Sequence, residues 1–289
     1  MNVKPVTATA LRDWPLPGAS GSKHSRGHVL VAGGSPGTPG AVMLAGLAAL
    51  RVGAGVLALA VADSVAPHVA VAVPEAAVHG LAGLHDPDTI AHDPAVAAGL
   101  AGSDTVCVGP GIDDSDAAAA LLRAILAQCD PHARLVLDAY ALGVLPGFDD
   151  LDALAGRTVL TPNGTEASRL LGTDADSVAA RATAEVAAEI AARYRAVVSF
   201  ERSVADPDGR AWAVESGHPG LGTSGSGDVL AGAVAGLLAR GADPAQAACW
   251  ATYLHSTAGD RLAPRVGRLG FLAREVVDEL PLVLVEAEA

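Results

Sequence analysis

Lysine is almost absent from this sequence, since Lys4 and Lys23 are the only two among 289 residues. Acidic residues number 32 against 19 basic ones, which gives a formal net charge of −13. A surface of that charge repels the phosphates of DNA and RNA, so we expect no nucleic-acid partner. Any contact with an anionic small molecule must come from Lys23, an arginine, a helix N-terminus or a metal ion.

Cysteine and aromatic residues are also scarce. Cys107, Cys129 and Cys249 are widely spaced and form no CxxC pair, which predicts neither a disulfide framework nor a zinc site. We interpret them as free thiols in a reducing compartment. Only 3% of the residues are aromatic while 51% are hydrophobic, so a core of alanine, valine and leucine is expected.

The sequence has no evident secretory or membrane-spanning segment. The first 18 residues carry no apolar run behind Lys4, and prolines interrupt them early, so no secretory signal is predicted. The longest apolar stretch, 41–62, contains Arg51, Gly53 and Gly55, which favours a helix, a turn and a buried strand over a membrane span. We therefore expect a cytoplasmic protein without a membrane partner.

Short aliphatic runs alternate with longer helical patterns through most of the chain. The predicted strands are Val29–Ala32, Val56–Val61, Thr105–Val108, Leu135–Asp138, Thr158–Leu160 and Ala196–Phe200. The helix candidates between them include Gly40–Val52, Asp116–Gln128 and Val178–Arg193. Runs of this kind are typical of strands buried on both faces and joined by right-handed crossovers. The pattern predicts an α/β fold in three layers, with a mostly parallel central sheet and helices on both faces.

The C-terminal half adds a hairpin and then helices alone. Ser203–Ala205 and Arg210–Val214 flank the turn Asp206–Gly209, which predicts an antiparallel hairpin at the sheet edge. The helices expected after it are Asp228–Arg240, Pro244–Leu262 and Phe271–Leu280. No linker or break in composition appears, so residues 1–289 are predicted to form a single domain, with a loop-like segment at 1–25 and a frayed tail at 285–289.

The segment 222–228, Gly-Thr-Ser-Gly-Ser-Gly-Asp, leads directly into a strongly apolar helix. Glycines let backbone amides approach an anion closely, and the first turn of a helix offers unpaired N–H groups and a partial positive charge. This predicts a phosphate-binding loop without lysine, in which Asp228 acts as the general base toward an attacking hydroxyl. The alternative is an ordinary glycine loop with Ser226 as the helix N-cap. No GxxxxGK[ST] motif occurs, so a P-loop enzyme is excluded.

Other polar segments also follow predicted strands. The glycine-rich run 33–40 is either a weak dinucleotide site or a plain loop before a helix. Glu166 is either a carboxylate at a metal or phosphate site, or the partner of Asn163 in a helix capping box. Asp138, at a strand end, either orients substrate or caps the following turn.

Lysine and histidine offer few further candidates. Lys23 is either a functional cation before the first predicted strand or an exposed, solubilising residue. His28 and His255 lie within strand and helix patterns and are interpreted as packed or solvated. No two histidines have the spacing of metal ligands.

Seven motifs in order, from about Lys23 to about Ala263, resemble the ADP-dependent NAD(P)H-hydrate dehydratases, which belong to the ribokinase-like superfamily. They are Arg-Gly-His-Val-Leu-Val-Ala-Gly-Gly-Ser at 26–35, Pro-Gly-Ala at 39–41, Arg-Val-Gly-Ala-Gly at 51–55, Val-Gly-Pro-Gly-Ile at 108–112, Leu-Val-Leu-Asp-Ala at 135–139, Leu-Thr-Pro-Asn with Glu166 at 160–166, and Gly-Ser-Gly-Asp-Val-Leu-Ala-Gly at 225–232. Lys23 also matches a lysine of that family.

The resemblance implies a repair enzyme that phosphorylates the hydroxyl of hydrated NADH or NADPH with ADP or ATP, together with Mg²⁺, and then releases phosphate. It assigns Asp228 as the catalytic aspartate and Gly225, Ser226 and Gly227 as the nucleotide-binding loop. It places Ala41, Gly109, Gly111 and Asn163, with Asp228, around the hydrated cofactor, and assigns no residue as a metal ligand. It also implies a homotetramer.

The sequence departs from the family pattern at three points. Most bacterial members have Thr-Pro-His-Pro-Gly-Glu where this chain has Thr161–Glu166, although Thr-Pro-Asn followed by Glu resembles the eukaryotic members. Tyr140 stands where the family has the second aspartate of Asp-Ala-Asp, and Val197–Ser203 stands where it has a Lys-Gly pair that contacts the nucleotide. Two alternatives to the dehydratase remain open at this point. One is a ribokinase-like kinase of another small alcohol, and the other is a catalytically weak relative that only binds nucleotide.

Overall fold

A ten-stranded sheet forms the centre of the molecule. The computed structural model describes residues 2–18, 21–84 and 86–289. The strands are β1 (Val3–Val6), β2 (His28–Ala32), β3 (Val56–Ala62), β4 (Ala76–Leu81), β5 (Thr105–Val108), β6 (Arg134–Leu137), β7 (Thr158–Leu160), β8 (Val197–Phe200), β9 (Ser203–Ala205) and β10 (Ala211–Val214). Their order is β1-β10-β9-β8-β7-β6-β5-β2-β3-β4. Strand β9 is antiparallel to both of its neighbours, and all other described pairs are parallel.

Helices connect most of these strands. They are α1 (Ala8–Arg12), α2 (Pro39–Arg51), α3 (Ala66–Ala72), α4 (Pro87–Ala91), α5 (Pro94–Leu100), α6 (Ser115–Gln128), α7 (Tyr140–Gly143), α8 (Gly164–Leu171), α9 (Ala175–Ala179), α10 (Thr183–Tyr194), α11 (Ser226–Ala239), α12 (Pro244–Arg265) and α13 (Ala273–Glu288). Within the described ranges, no helix combines the length and apolar character that a bilayer crossing requires.

Side chains alternate between two hydrophobic layers along each central strand. Val29 and Val31 of β2 belong to the hydrophobic cluster that includes α2, α11, α12 and α13, whereas Leu30 and Ala32 belong to the cluster on the other face, which includes α5, α6, α8 and α10. This alternation is the pleat of a strand that is buried on both faces. The three-layer α/β prediction is confirmed.

All six predicted strands are present within one or two residues of their predicted ends. Strand β4 was not predicted, because its sequence Ala-Ala-Val-His-Gly-Leu is only partly buried at one edge of the sheet and lacks a continuous aliphatic run. The helices predicted at 40–52, 116–128, 228–240, 244–262 and 271–280 correspond to α2, α6, α11, α12 and α13.

The N-terminal segment and the sheet edge differ from the prediction. Residues 1–25 are not loop-like in their described part, since β1 pairs in parallel with β10, α1 follows, and a 3₁₀ turn spans Lys23–Arg26. Proline is tolerated in an edge strand, so Pro5 does not prevent this pairing. The predicted hairpin exists as β9 and β10, but β1 covers its outer side, so the hairpin is not the edge.

Two helix predictions are also corrected. The tail at 285–289 is not frayed, because α13 extends to Glu288 and Ala287 is buried. The predicted helix 178–193 is two helices, α9 and α10. Asp174 caps the first of them by accepting a hydrogen bond from the Ser177 N–H. Nothing in the alanine-rich sequence between the two helices marks the break.

Candidate active site

Two loops interlock at the carboxyl ends of β2 and β5. The N–H groups of Gly34 and Ser35 donate to the carbonyl oxygens of Pro110 and Gly111 at 2.9 and 2.8 Å. The hydroxyl of Thr38 also donates to the Gly111 carbonyl, at 2.7 Å. The loop 33–38 is thereby held against 109–113 at the sheet edge where ligands bind in open α/β folds.

Three of the predicted substrate-binding residues lie together in this region. Gly111 has φ +69°, and a Cβ atom there would lie 3.1 Å from the Cβ of Ala41. Gly109 has φ +124°, and a Cβ there would lie 1.9 Å from the carbonyl oxygen of Asp138. Both glycines are required by this close approach of backbone segments. The structure therefore brings Ala41, Gly109 and Gly111 next to the end of β6.

Close packing of α11 on α2 fixes where Asp228 lies. A Cβ at Gly232 would lie 2.0 Å from the carbonyl oxygen of Ala45, and one at Gly236 would lie 2.4 Å from that of Ala49. A Cβ atom would not fit at either position, so the two glycines allow the backbones of α11 and α2 to approach each other closely. Since Ala41 is in the first turn of α2 and α11 begins with Ser226, Gly227 and Asp228, this packing places the catalytic candidate Asp228 beside Ala41.

The start of α11 is exposed to ligand. Gly225 is the N-cap with φ +87°, and no side chain caps the helix, so Ser226 is not the N-cap. The Ser226 N–H donates to the Thr223 carbonyl oxygen at 3.2 Å, whereas the N–H groups of Gly227 and Asp228 have no described backbone acceptor and are available to an anion. Gly227 is exposed and has open space where a Cβ would stand.

Three carboxyl groups influence one another at this edge. Burial, followed by the charge of Glu166, raises the pKa of Asp228 from 3.8 to about 6. Burial raises the pKa of Asp138 to about 8, with the charges of Asp228 and Glu166 adding to the effect. At neutral pH Asp228 is mostly ionised while Asp138 keeps its proton. Carboxyl pKa values that separate in this way are typical of acid and base pairs in enzymes.

Asp138 is buried and accepts a hydrogen bond from the Thr161 hydroxyl at 2.8 Å. Its carbonyl oxygen also accepts from the N–H of Ala141, but the short helix α7 that follows has no side-chain cap, so the interpretation of Asp138 as a cap is not borne out. Tyr140, two residues further along the chain, is 41% exposed.

Asn163 and Glu166 form a capping box at the start of α8. The Asn163 side chain accepts from the N–H of Glu166 at 3.0 Å, and Glu166 Oε2 accepts from the N–H of Asn163 at 2.9 Å. One of the two interpretations of Glu166 is thus confirmed. Burial raises the pKa of Glu166, with the hydrogen bond from Asn163 acting in the opposite direction. Across the described residues, no three His, Cys, Asp or Glu side chains form a group that could hold a metal.

A groove of about 640 Å³ runs beside the start of α11, which is within the usual range for a small-molecule site. Its lining includes predicted residues Asn163, Ser226 and Gly227. The other lining residues are Thr161, Pro162, Gly164, Ser199, Glu201, Arg202, Gly217, His218, Pro219, Leu221, Gly222, Leu230, His255 and Ser256. The predicted phosphate loop therefore faces a cavity.

His255, interpreted from the sequence as packed or solvated, contacts this loop. Its Nε2 lies 2.8 Å from Ser226 Oγ and 3.0 Å from the Ser226 carbonyl oxygen. Burial lowers the pKa of His255 to about 4, so the ring is neutral at pH 7. Because a carbonyl oxygen only accepts, this geometry favours the tautomer with the proton on Nε2, which leaves the Ser226 hydroxyl hydrogen free for a ligand. Its position within α12 gives no local sequence signal of this contact.

Helix α12 also contacts residues 217–221, which lead into the glycine loop 222–228. Asp260 accepts a hydrogen bond from the N–H of Gly217 at 2.9 Å, and a Cβ at Gly259 would lie 2.6 Å from Leu221 Cγ. Lys23, in contrast, lies at the opposite edge of the sheet, where its carbonyl oxygen contacts Gly55 before β3. Lys23 is therefore not part of this site.

Comparison with known proteins gives consistent matches over the whole chain. The family model described as NAD(P)H-hydrate dehydratase matches residues 29–282. An ADP-dependent (S)-NAD(P)H-hydrate dehydratase of Xanthomonas campestris is 47% identical over 98% of this chain and 96% of its own length. A bifunctional NAD(P)H-hydrate repair enzyme of Moorella thermoacetica is 38% identical over 93% of this chain, which spans 51% of that longer protein.

Two solved structures also resemble this chain over nearly its full length. The ADP/ATP-dependent NAD(P)H-hydrate dehydratase of Bacillus subtilis, co-crystallised with ATP and Mg²⁺, superimposes with a TM-score of 0.82 and 28% identity, covering both chains fully. A ribokinase-like superfamily protein of Enterococcus faecalis has a TM-score of 0.79 at 22% identity and covers 99% of this chain and 97% of its own. The second match shows the ribokinase-like fold.

Proposed function

Because the chain belongs to the NAD(P)H-hydrate dehydratase family, we propose that it uses ADP or ATP to dehydrate hydrated NADH or NADPH and so restores the reduced cofactor. The observation that carries this proposal is the position of Asp228. It lies on the first turn of α11, next to Ala41 of α2 and the loop that contains Gly111, and its pKa is raised to about 6. A carboxylate in that position can serve as a general base at neutral pH.

Hydroxide is a poor leaving group, and phosphorylation removes that difficulty. Asp228 accepts the proton of the ring hydroxyl while the hydroxyl oxygen attacks the terminal phosphorus of the nucleotide. The bond between that phosphorus and its bridging oxygen breaks, and AMP leaves from ADP, or ADP from ATP. The lone pair of the ring nitrogen then expels phosphate. Loss of a proton from the adjacent ring carbon completes the dihydronicotinamide.

The start of α11 supplies the electrostatic part of this mechanism. The amides at Gly225 and Gly227 hold the transferred phosphoryl group, and the helix N-terminus offsets the charge that develops on it. His255 keeps the Ser226 hydroxyl available as one more donor. Ala41, Gly109 and Gly111, together with Asn163 from the lining of the groove, shape the pocket of the hydrated cofactor. Asp138, protonated at neutral pH, adds no negative charge near the phosphates.

The described residues fit a Mg²⁺ ion that arrives with the nucleotide. The absence of a cluster of three ligands in the described ranges agrees with an ion held mostly by phosphate oxygens and water, with one or two carboxylates. Glu166 is placed to be such a carboxylate, because only its Oε2 is used by the capping box. When bound, the ion neutralises phosphate charge.

We also propose a cytoplasmic homotetramer, from the resemblance and the Ala-rich exposed faces of the fold. Light scattering at micromolar concentration should give four times the mass of the 28.7 kDa chain. A monomer mass would contradict the assembly and leave the catalytic proposal unaffected.

The activity is tested by incubating the protein with hydrated NADH, Mg²⁺ and either ADP or ATP while following absorbance of the reduced nicotinamide. The expected result is recovery of absorbance that requires a nucleotide and is lost in Asp228→Asn. Phosphate transfer to another small alcohol without cofactor recovery would indicate a different kinase. Nucleotide binding without any turnover would indicate a catalytically weak relative.

A further inference from the structure

The connection between β8 and β9 is unusually tight. Phe200 pairs directly with Ser203, so the turn contains only Glu201 and Arg202. Two-residue hairpin loops require a positive φ, which Glu201 adopts at +53° although it is not a glycine. Both turn residues line the groove beside α11. A strained backbone thus places one acidic and one basic side chain at the edge of the candidate nucleotide site.

The side chain of Arg202 crosses the segment that leads to the phosphate loop. A Cβ at Gly217 would lie 3.0 Å from Arg202 Cδ and 3.5 Å from Ser256 Oγ. Gly217 has φ +130°, a conformation that side chains rarely adopt. The absence of a side chain at this position leaves room for the aliphatic part of Arg202 to lie over the loop.

Arg202 is also the sole arginine or lysine among the described residues that line the groove. It forms no ion pair with a described carboxylate. His255 in the same groove is neutral at pH 7. The chain has a net charge of −13. Among the described residues that line the groove, Arg202 is therefore the one permanent positive charge that the phosphates of ADP or ATP would meet.

We propose that Arg202 binds a phosphate group of the nucleotide and thereby determines how tightly the enzyme holds ADP or ATP. This inference rests on the proposed function. A guanidinium can donate two parallel hydrogen bonds to phosphate oxygens, which makes it selective for this group. Glu201 on the same turn opposes binding through its negative charge, so the two adjacent residues act with opposite sign.

The test is calorimetric titration of ADP into the wild-type protein and into Arg202→Ala, Arg202→Lys and Glu201→Gln. Arg202→Ala should weaken ADP binding by about tenfold or more, the usual loss for a hydrogen bond to a charged group. Arg202→Lys should recover part of the affinity, and Glu201→Gln should leave binding unchanged or tighten it. Arg181→Ala is the matched control, because Arg181 lines a neighbouring cavity and pairs with Glu189 at 2.7 Å.

Salt separates a phosphate contact from a structural effect. Raising the salt concentration should weaken ADP binding more in the wild type than in Arg202→Ala, since screening acts on the contact that the variant lacks. The melting temperature of Arg202→Ala should stay that of the wild type. If Arg202→Ala binds ADP within twofold of a wild type that dehydrates normally, or keeps the full salt dependence, the inference is overturned and the proposed function stands. A wild type that binds neither ADP nor ATP overturns both.

Discussion

Replacing Asp228 by asparagine should abolish activity and at the same time stabilise the fold. Raising the pKa of this carboxyl from 3.8 to about 6 corresponds to about 3 kcal/mol, since one pKa unit is worth about 1.4 kcal/mol. Partial contact with solvent screens the charge, so we expect a gain of about 1–2 kcal/mol at pH 8. For a chain of this size that raises Tm by about 2–3 °C. Activity should fall by at least about 100-fold, because the base is lost.

The stability gained in Asp228→Asn should increase as the pH rises. The folded state keeps a proton on Asp228 that the unfolded chain releases between about pH 4 and 6. The contribution of this group to stability is therefore fully present below pH 4 and is lost as the pH rises through about 6. The stabilisation of Asp228→Asn should be largest at pH 7–8 and vanish near pH 4, while wild-type activity declines below about pH 6.

Thermal unfolding of both proteins across this range, together with the cofactor-recovery assay, checks the argument. A variant that is less stable than the wild type at pH 8 would refute the claim that Asp228 is a desolvated carboxylate. A gain of equal size at pH 4 and pH 8 would show that charge is not its origin. Wild-type activity in the variant would remove Asp228 from the mechanism.

Three further predictions concern the parts of the fold that hold the site. Glu201→Gly should raise the unfolding free energy by about 0.5–1 kcal/mol in chemical denaturation, because it relieves a left-handed non-glycine residue, whereas Glu215→Gly should not. Gly232→Ala should cost about 1–3 kcal/mol, since its Cβ would meet the backbone of α2, while Gly40→Ala, with open space, should be neutral. His255→Phe should raise the KM for ADP by about fivefold, because the contact to Ser226 is lost. The kcat should change less, and His255→Gln should partly restore the KM. An unchanged KM would contradict this positioning role.

Local sequence was sufficient for most of the secondary structure. Aliphatic runs identified the six central strands because a strand buried on both faces tolerates little else. The glycine loop before Asp228 was visible because glycines and a helix start are adjacent in the chain. The same local reasoning failed at β1, whose four residues become a strand only when β10 lies beside them. It also failed at the C-terminal tail, where the burial of Ala287 comes from tertiary packing.

The features of the candidate site were likewise only partly predictable from the sequence. The sequence by itself was enough to predict a phosphate-binding role for the glycine loop before Asp228, and a catalytic role for Asp228, because these signals lie within a few consecutive residues. Only the tertiary structure decided that Asp138 retains its proton, that His255 contacts Ser226, and that Arg202 lies over the groove. The pKa of a carboxyl and the partner of a side chain depend on burial and distance, which are set by segments far apart in the chain.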